Sequence, residues 1–179
     1  MKYLAVFALA AALVCTAAAS AQETAPVQNP ITSMIKQQIT RYAQLETEAA
    51  ELMPADKYSF KPTPEMRTLG SLVLHVAQFK NLICSRFTSA PAADTKEMKE
   101  TDDKAKLVAA VKESFAYCTT AIGPLDDSTL GVSAGKLGPN NLSRGGALLL
   151  LGEDWFDHYG AQAIYLRLSG ILPPSARPR

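Results

Sequence analysis

The run TLGSLVLHVAQFKNLICSRF, residues 68–87, decides the fold class. Its apolar residues Leu69, Leu72, Val73, Val76, Phe79, Ile83 and Phe87 recur at steps of three and four. That spacing lays them along one stripe of an α-helix, whereas a half-buried strand alternates every second residue. Thr68 stands just ahead of the stripe, where its hydroxyl can accept from the free N–H groups of the first helical turn. Upstream, Pro54, Pro62 and Pro64 break any regular helix before residue 66. Downstream, the small and polar residues of Ser89 to Thr95 read as a loop.

Working outward, three more helical stretches emerge. Asn29-Pro30 places a capping residue and a helix-starting proline ahead of Ile31, Ile35, Tyr42, Leu45, Ala49 and Leu52, a stripe that ends at Met53-Pro54. Thr101-Asp102-Asp103 opens a third helix lined by Leu107, Val108, Val111, Phe115 and Cys118, which fails by Gly123-Pro124. Asp126 to Leu142, with Gly131, Gly135, Gly138 and Pro139, reads as a long connection without alternating strands. Asn141 or Ser143 then opens a fourth helix reaching about Ser169, with Gly170 at its end. The predicted fold is all-α: a four-helix bundle over residues 30–174, with rods of ~30 Å burying their stripes against one another. The connections between helices one and two, and between three and four, are longer than an up-down bundle requires, so crossovers are expected.

Outside the bundle the sequence has three flanking pieces. Met1-Lys2, the apolar run from Tyr3 to Ala19 and the small residues Ala19-Ser20-Ala21 read as a signal peptide over residues 1–21. Cys15 lacks the small neighbour that lipoprotein signals carry, since Leu13-Val14 precede it. Residues 22–29 read as a disordered lead-in and 175–179 as a flexible tail. The expected location is periplasmic or secreted, with no membrane span once the signal is removed. The formal charge of +1 offers no field for nucleic acid or an anionic membrane. Homodimerisation is left open. Two of the three cysteines, Cys84 and Cys118, follow the signal. In an oxidising compartment they are a disulfide candidate, with two separate buried thiols as the alternative.

The sequence has only two histidines, and both fall on inward faces of predicted helices. His75 borders the stripe of helix two, and His158 shares a face with Leu151, Trp155, Gln162 and Tyr165. Neutral imidazole is the commonest ligand for transition ions, and bundles build metal sites from facing helices. Asp154 stands four residues before His158 and therefore stacks one turn along the same face, whereas Asp157 is turned away. An interior aspartate needs a partner. A metal ion is one; an arginine, a helix terminus or solvent are the others. Tyr159, Gln162, Tyr165 and Glu153 flank this cluster as neighbours or substrate contacts. Arg67 and Arg167 read as structural ion-pair partners.

Two stretches carry a resemblance. Leu52-Met53-Pro54 with Tyr58 to Thr68 (YSFKPTPEMRT) and Leu74-His75-Val76-Ala77 resembles the first loop and second helix of the DinB/YfiT-like superfamily. His158-Tyr159-Gly160 with Tyr165 to Ser175 (YLRLSGILPPS) resembles the end of that family's fourth helix. The resemblance implies a four-helix bundle that holds a divalent metal through three histidines. His75 and His158 match two of them, and Asp154 stands at the third, leaving two imidazoles and a carboxylate for Zn, Ni, Mn or Fe. It also implies that Cys84 and Cys118 lie close together.

The implied activity is a metal-dependent hydrolase or thiol-dependent transferase acting on a small molecule. The competing reading is a non-catalytic small-molecule-binding or stress-associated bundle with a degenerate metal site. A haem bundle using His158 and a methionine is disfavoured because no methionine is singled out. Gly145-Gly146 lacks the strand and Lys-Ser/Thr of a phosphate loop, and no hydrolase elbow or zinc-protease helix occurs.

Overall fold

The computed structural model describes residues 25–178. The expected signal peptide and the first residues of the lead-in lie outside that range. Four helices, α1 (Pro30–Leu52), α2 (Leu69–Cys84), α3 (Lys104–Ile122) and α4 (Arg144–Leu168), make the bundle. Among the described residues, no helix is long and apolar enough to cross a membrane.

α1 and α2 each pack against both α3 and α4. Helices consecutive in sequence, α1 with α2 and α3 with α4, therefore lie across the diagonals. This is the reason both of those connections are long: each must traverse an end of the bundle, as the sequence suggested.

The expectation of an all-α chain needs one correction. The α3–α4 connection contains an antiparallel hairpin, β1 (Ser133–Leu137) and β2 (Asn140–Ser143). Gly138 at φ 58° makes its tight turn before Pro139. The ladder is irregular between Ser133 and Lys136, where Gly135 takes φ 85°. These strands are short and polar and bury little besides Ala134, so no hydrophobic alternation announces them.

Local chemistry sets the helix ends. Thr68 accepts from Ser71 N–H at 3.0 Å, and Ser143 accepts from Gly146 N–H at 3.1 Å, so α2 and α4 start as expected. Ser143, not Asn141, opens α4. The start of α1 differs. Asn29 has a left-handed backbone and makes no side-chain cap. Asp127 caps α1 from a distance instead, its carboxylate accepting from the N–H groups of Ile31 (3.0 Å) and Thr32 (2.8 Å). At the other end, Lys104 of α3 donates to the carbonyls of Glu51 and Met53, free acceptors at the end of α1. α2 stops at Cys84, short of Phe87. Gly170, at φ 75°, follows α4. In the expected tail, Ser175 N–H donates to the Tyr159 hydroxyl at 2.8 Å.

The core centres on Ile39, Val73, Val76, Ala77, Leu107, Val111, Leu151, Trp155 and Leu166, all at 1% exposure or less. The buried face of α1 is Thr32, Ile39, Tyr42, Glu46, Ala49 and Ala50. Ile31, placed in the expected stripe, is instead half exposed. The buried face is rotated from the expected stripe and includes a charged residue, Glu46, at 0% exposure.

Candidate metal centre

The site lies where α2 and α4 face one another. His75 comes from the middle of α2, and Asp154 and His158 from successive turns of α4. The imidazole centroids of His75 and His158 are 5.0 Å apart. One ligand atom from each of His75, Asp154 and His158 can be chosen so that all lie within 4.8 Å of one another. Asp154 forms the buried floor, with both histidines half-buried beside it.

His158 Nδ1 lies 2.8 Å from the Asp154 carbonyl oxygen. A carbonyl can only accept, so Nδ1 donates there, and Nε2 is the ring nitrogen left to face a metal. Burial lowers the His75 pKa, with Arg67, His158 and Lys80 adding to the effect against Asp154. His75 is therefore held toward the neutral imidazole that a metal requires. Asp157 stays outside the cluster: its side chain is 83% exposed, and its Oδ2 comes only to 3.7 Å from His158 Nδ1.

Two participants were missed by the sequence reading. The Lys80 ammonium, fully buried, donates to Asp154 Oδ2 at 3.1 Å and to Glu46 Oε2 at 2.8 Å. It also sits 4.5 Å from the centroid of the Phe115 ring. Lys80 thus joins one residue from each of the other three helices. The aspartate's partner is a lysine, not the arginine, helix terminus or solvent first considered. Both positions were readable: Lys80 falls four residues after Val76 and four before Cys84, and Glu46 falls four after Tyr42. Burial raises the Glu46 pKa to about 7, against the opposing pull of Lys80.

The donor set fits a divalent ion on one specific observation. Asp154 Oδ1 is buried and accepts no hydrogen bond, although it lies 3.2 Å from His158 Nδ1. A buried carboxylate oxygen without a donor is costly, and a cation beside it removes that cost.

The flanking candidates separate. Gln162 is buried at 1% exposure with neither amide atom paired, leaving both donor and acceptor for a ligand or water. The Tyr165 hydroxyl donates to the Arg67 carbonyl at 2.6 Å, tying α4 to the entry of α2. Tyr159 turns to Tyr42 and the C-terminal segment. Arg67 and Arg167 make no salt bridge among the described residues; Arg67 donates to Ser71 and Arg167 to the Ala163 carbonyl. Cys84 and Cys118 are bonded, joining α2 to α3 with their Cα atoms 5.1 Å apart.

The fold and the cluster together define a helical bundle with a two-imidazole, one-carboxylate centre. Among solved structures, the chain is similar to a DinB-like protein, YjoA, from Bacillus subtilis, with a TM-score of 0.63, 20% identity and coverage of 82% of this chain and 99% of that one. It is also similar to a DinB-like protein from Bacillus cereus, with a TM-score of 0.65, 14% identity and coverage of 79% and 95%. A conserved protein from Enterococcus faecalis matches with a TM-score of 0.57, 18% identity and coverage of 75% and 93%. No protein-family model and no curated protein matches the sequence. At these identities the likeness is one of fold: the chain folds as a DinB-like bundle, as the resemblance implied.

Proposed function

We propose that this chain is an exported metal-binding bundle that acts as a hydrolase or thiol-dependent transferase on a small molecule. The observation carrying this reading is the convergence of His75, Asp154 and His158 around a buried carboxylate oxygen that has no donor. Two imidazoles and one carboxylate suit Zn, Ni, Mn or Fe(II) better than calcium, which prefers all-oxygen sites. A bound ion would supply Lewis acidity and acidify a water or thiol. The chain's own groups prepare the centre. The Asp154 carbonyl fixes the His158 ring, burial keeps His75 toward neutrality, and the unpaired Gln162 amide is the candidate substrate contact. Export is supported by the N-terminal sequence and by the Cys84–Cys118 bond, which suits an oxidising compartment.

Elemental analysis of protein purified without a metal-binding tag tests the reading. About one equivalent of a transition metal is expected in the wild type, with loss in His75→Ala and Asp154→Ala. No metal after reconstitution with Zn, Ni, Mn and Fe(II) would sink it. The Lys80–Asp154 ion pair favours a second reading, in which an internal cation has made metal dispensable and the bundle binds a ligand without turnover. Under that reading a chelator leaves Tm unchanged, whereas loss of a native-state ligand lowers it.

A further inference from the structure

We propose that Lys80, anchored by Glu46, is a positioning residue of the metal centre: it holds Asp154 Oδ2, leaves Oδ1 alone for the ion, and weakens metal binding through its charge. The proposal rests on the metal-binding reading above.

Three observations support it. First, the two oxygens of Asp154 are unequal: Oδ2 is held by the Lys80 ammonium at 3.1 Å, whereas Oδ1 is buried with no hydrogen bond. A carboxylate held in this way offers one oxygen, which disfavours ions that take carboxylates through both. Second, Lys80 is fixed from every side. Glu46 Oε2 lies 2.8 Å from its ammonium and the Phe115 ring centroid 4.5 Å away. Its side chain is fully buried, so it cannot swing out to solvent as an ion arrives. Third, the charge arithmetic is local. With Glu46 ionised, the Glu46–Lys80–Asp154 cluster carries two negative charges and one positive. An ion at Oδ1 faces an ammonium across the same carboxylate, in a region where charge–charge energies are little screened. Lys80 therefore opposes the ion, and Glu46 partly offsets that opposition.

The arrangement makes opposite predictions for two neighbouring residues. Glu46→Gln removes a negative charge but keeps shape and leaves Lys80 to bear on Asp154 alone, so affinity falls. Adding Lys80→Met removes the ammonium and frees Oδ2, so affinity rises above that of Glu46→Gln. The double variant leaves neither a buried ammonium nor a second buried carboxylate, and it keeps the test open if Lys80→Met alone does not fold.

Zn(II) affinity would be measured at pH 8 against a chromophoric chelator, for the wild type, Glu46→Gln, Lys80→Met and Glu46→Gln/Lys80→Met. Glu46→Gln should bind about ten-fold more weakly than the wild type, and the double variant at least roughly ten-fold more tightly than Glu46→Gln. Equal affinities in all folded forms, with only Tm changed, would make Lys80 purely structural and overturn the proposal while the metal reading stood. Zinc binding by the double variant but not by the wild type would overturn both the proposal and the metal reading, leaving Lys80 as the cation that stands in a metal's place beside Asp154. No binding by any form would overturn both.

Discussion

Glu46 sits at 0% exposure in the face of α1 that packs on the bundle's interior, with its Oε1 atom buried and unpaired. Burial raises its pKa from 4.5 to about 7, overcoming the pull of Lys80. The folded state therefore binds this proton more tightly than the unfolded chain does. Glu46's contribution to stability is complete below about pH 4.5 and is lost as pH rises through about 7. At ~1.4 kcal/mol per unit, the loss is on the order of 3 kcal/mol. Denaturant unfolding of the wild type and Glu46→Gln between pH 4.5 and 8 reads it. The wild type should lose stability relative to the variant across that window, and a constant difference would show that Glu46 is ionised throughout. The same residue explains an uneven legibility in the sequence. His75 and His158 stand out because the chain has only two histidines and both fall on helical stripes. Glu46 and Lys80 fall on buried faces by the same arithmetic, yet a lone charge among apolar neighbours reads as a solvated edge. What makes each tolerable is the other, and that pairing joins residues 34 apart in sequence through tertiary packing alone.

At the scale of the elements, the start of α1 shows how a long-range contact replaces a local one. The Asn29-Pro30 signal marks the right place for the helix to begin, but the wrong side chain as its cap. The Asp127 carboxylate accepts from Ile31 and Thr32 N–H, while Asn29 Oδ1 accepts from Asp127 N–H at 3.1 Å. Burial pushes the Asp127 carboxyl up, but the Thr32 and Ile31 hydrogen bonds outweigh it and hold the group below its ordinary value. Asp127→Ala should lower Tm by roughly 2–4 °C and speed amide exchange at Ile31 and Thr32. Asp127→Asn should retain part of the effect, because its amide oxygen still accepts. Unchanged exchange in Asp127→Ala would mean that the local turn around Asn29 suffices. The β1–β2 hairpin escaped the sequence for the opposite reason. Helices were legible because burial imposes a period on the chain, and a polar hairpin lying over a helix end carries no such imprint.

Across the whole molecule, the diagonal placement of consecutive helices leaves few constraints from the loops themselves, and the Cys84–Cys118 bond supplies one between α2 and α3. It closes a segment with a sequence separation of 34, which corresponds to roughly 3–4 kcal/mol of restricted unfolded-state entropy. Removing both sulfurs in Cys84→Ala/Cys118→Ala should therefore lower Tm by about 10 °C at this chain length. The bundle should still fold, since α2 and α3 also pack against one another and both contribute buried residues to the common core. Chemical reduction should behave differently. Both cysteines have 0% exposure, so a reductant reaches the bond only when that part of the bundle opens. Brief treatment of the native protein with a water-soluble phosphine should leave Tm unchanged, while the same treatment in denaturant followed by refolding should reproduce the loss seen in the double variant. Rapid reduction under native conditions would mean that the α2–α3 contact opens far more readily than its packing implies. A double variant as stable as the wild type would mean that the interhelical packing alone fixes this pair, and that the bond matters for resistance to reduction and not for the equilibrium.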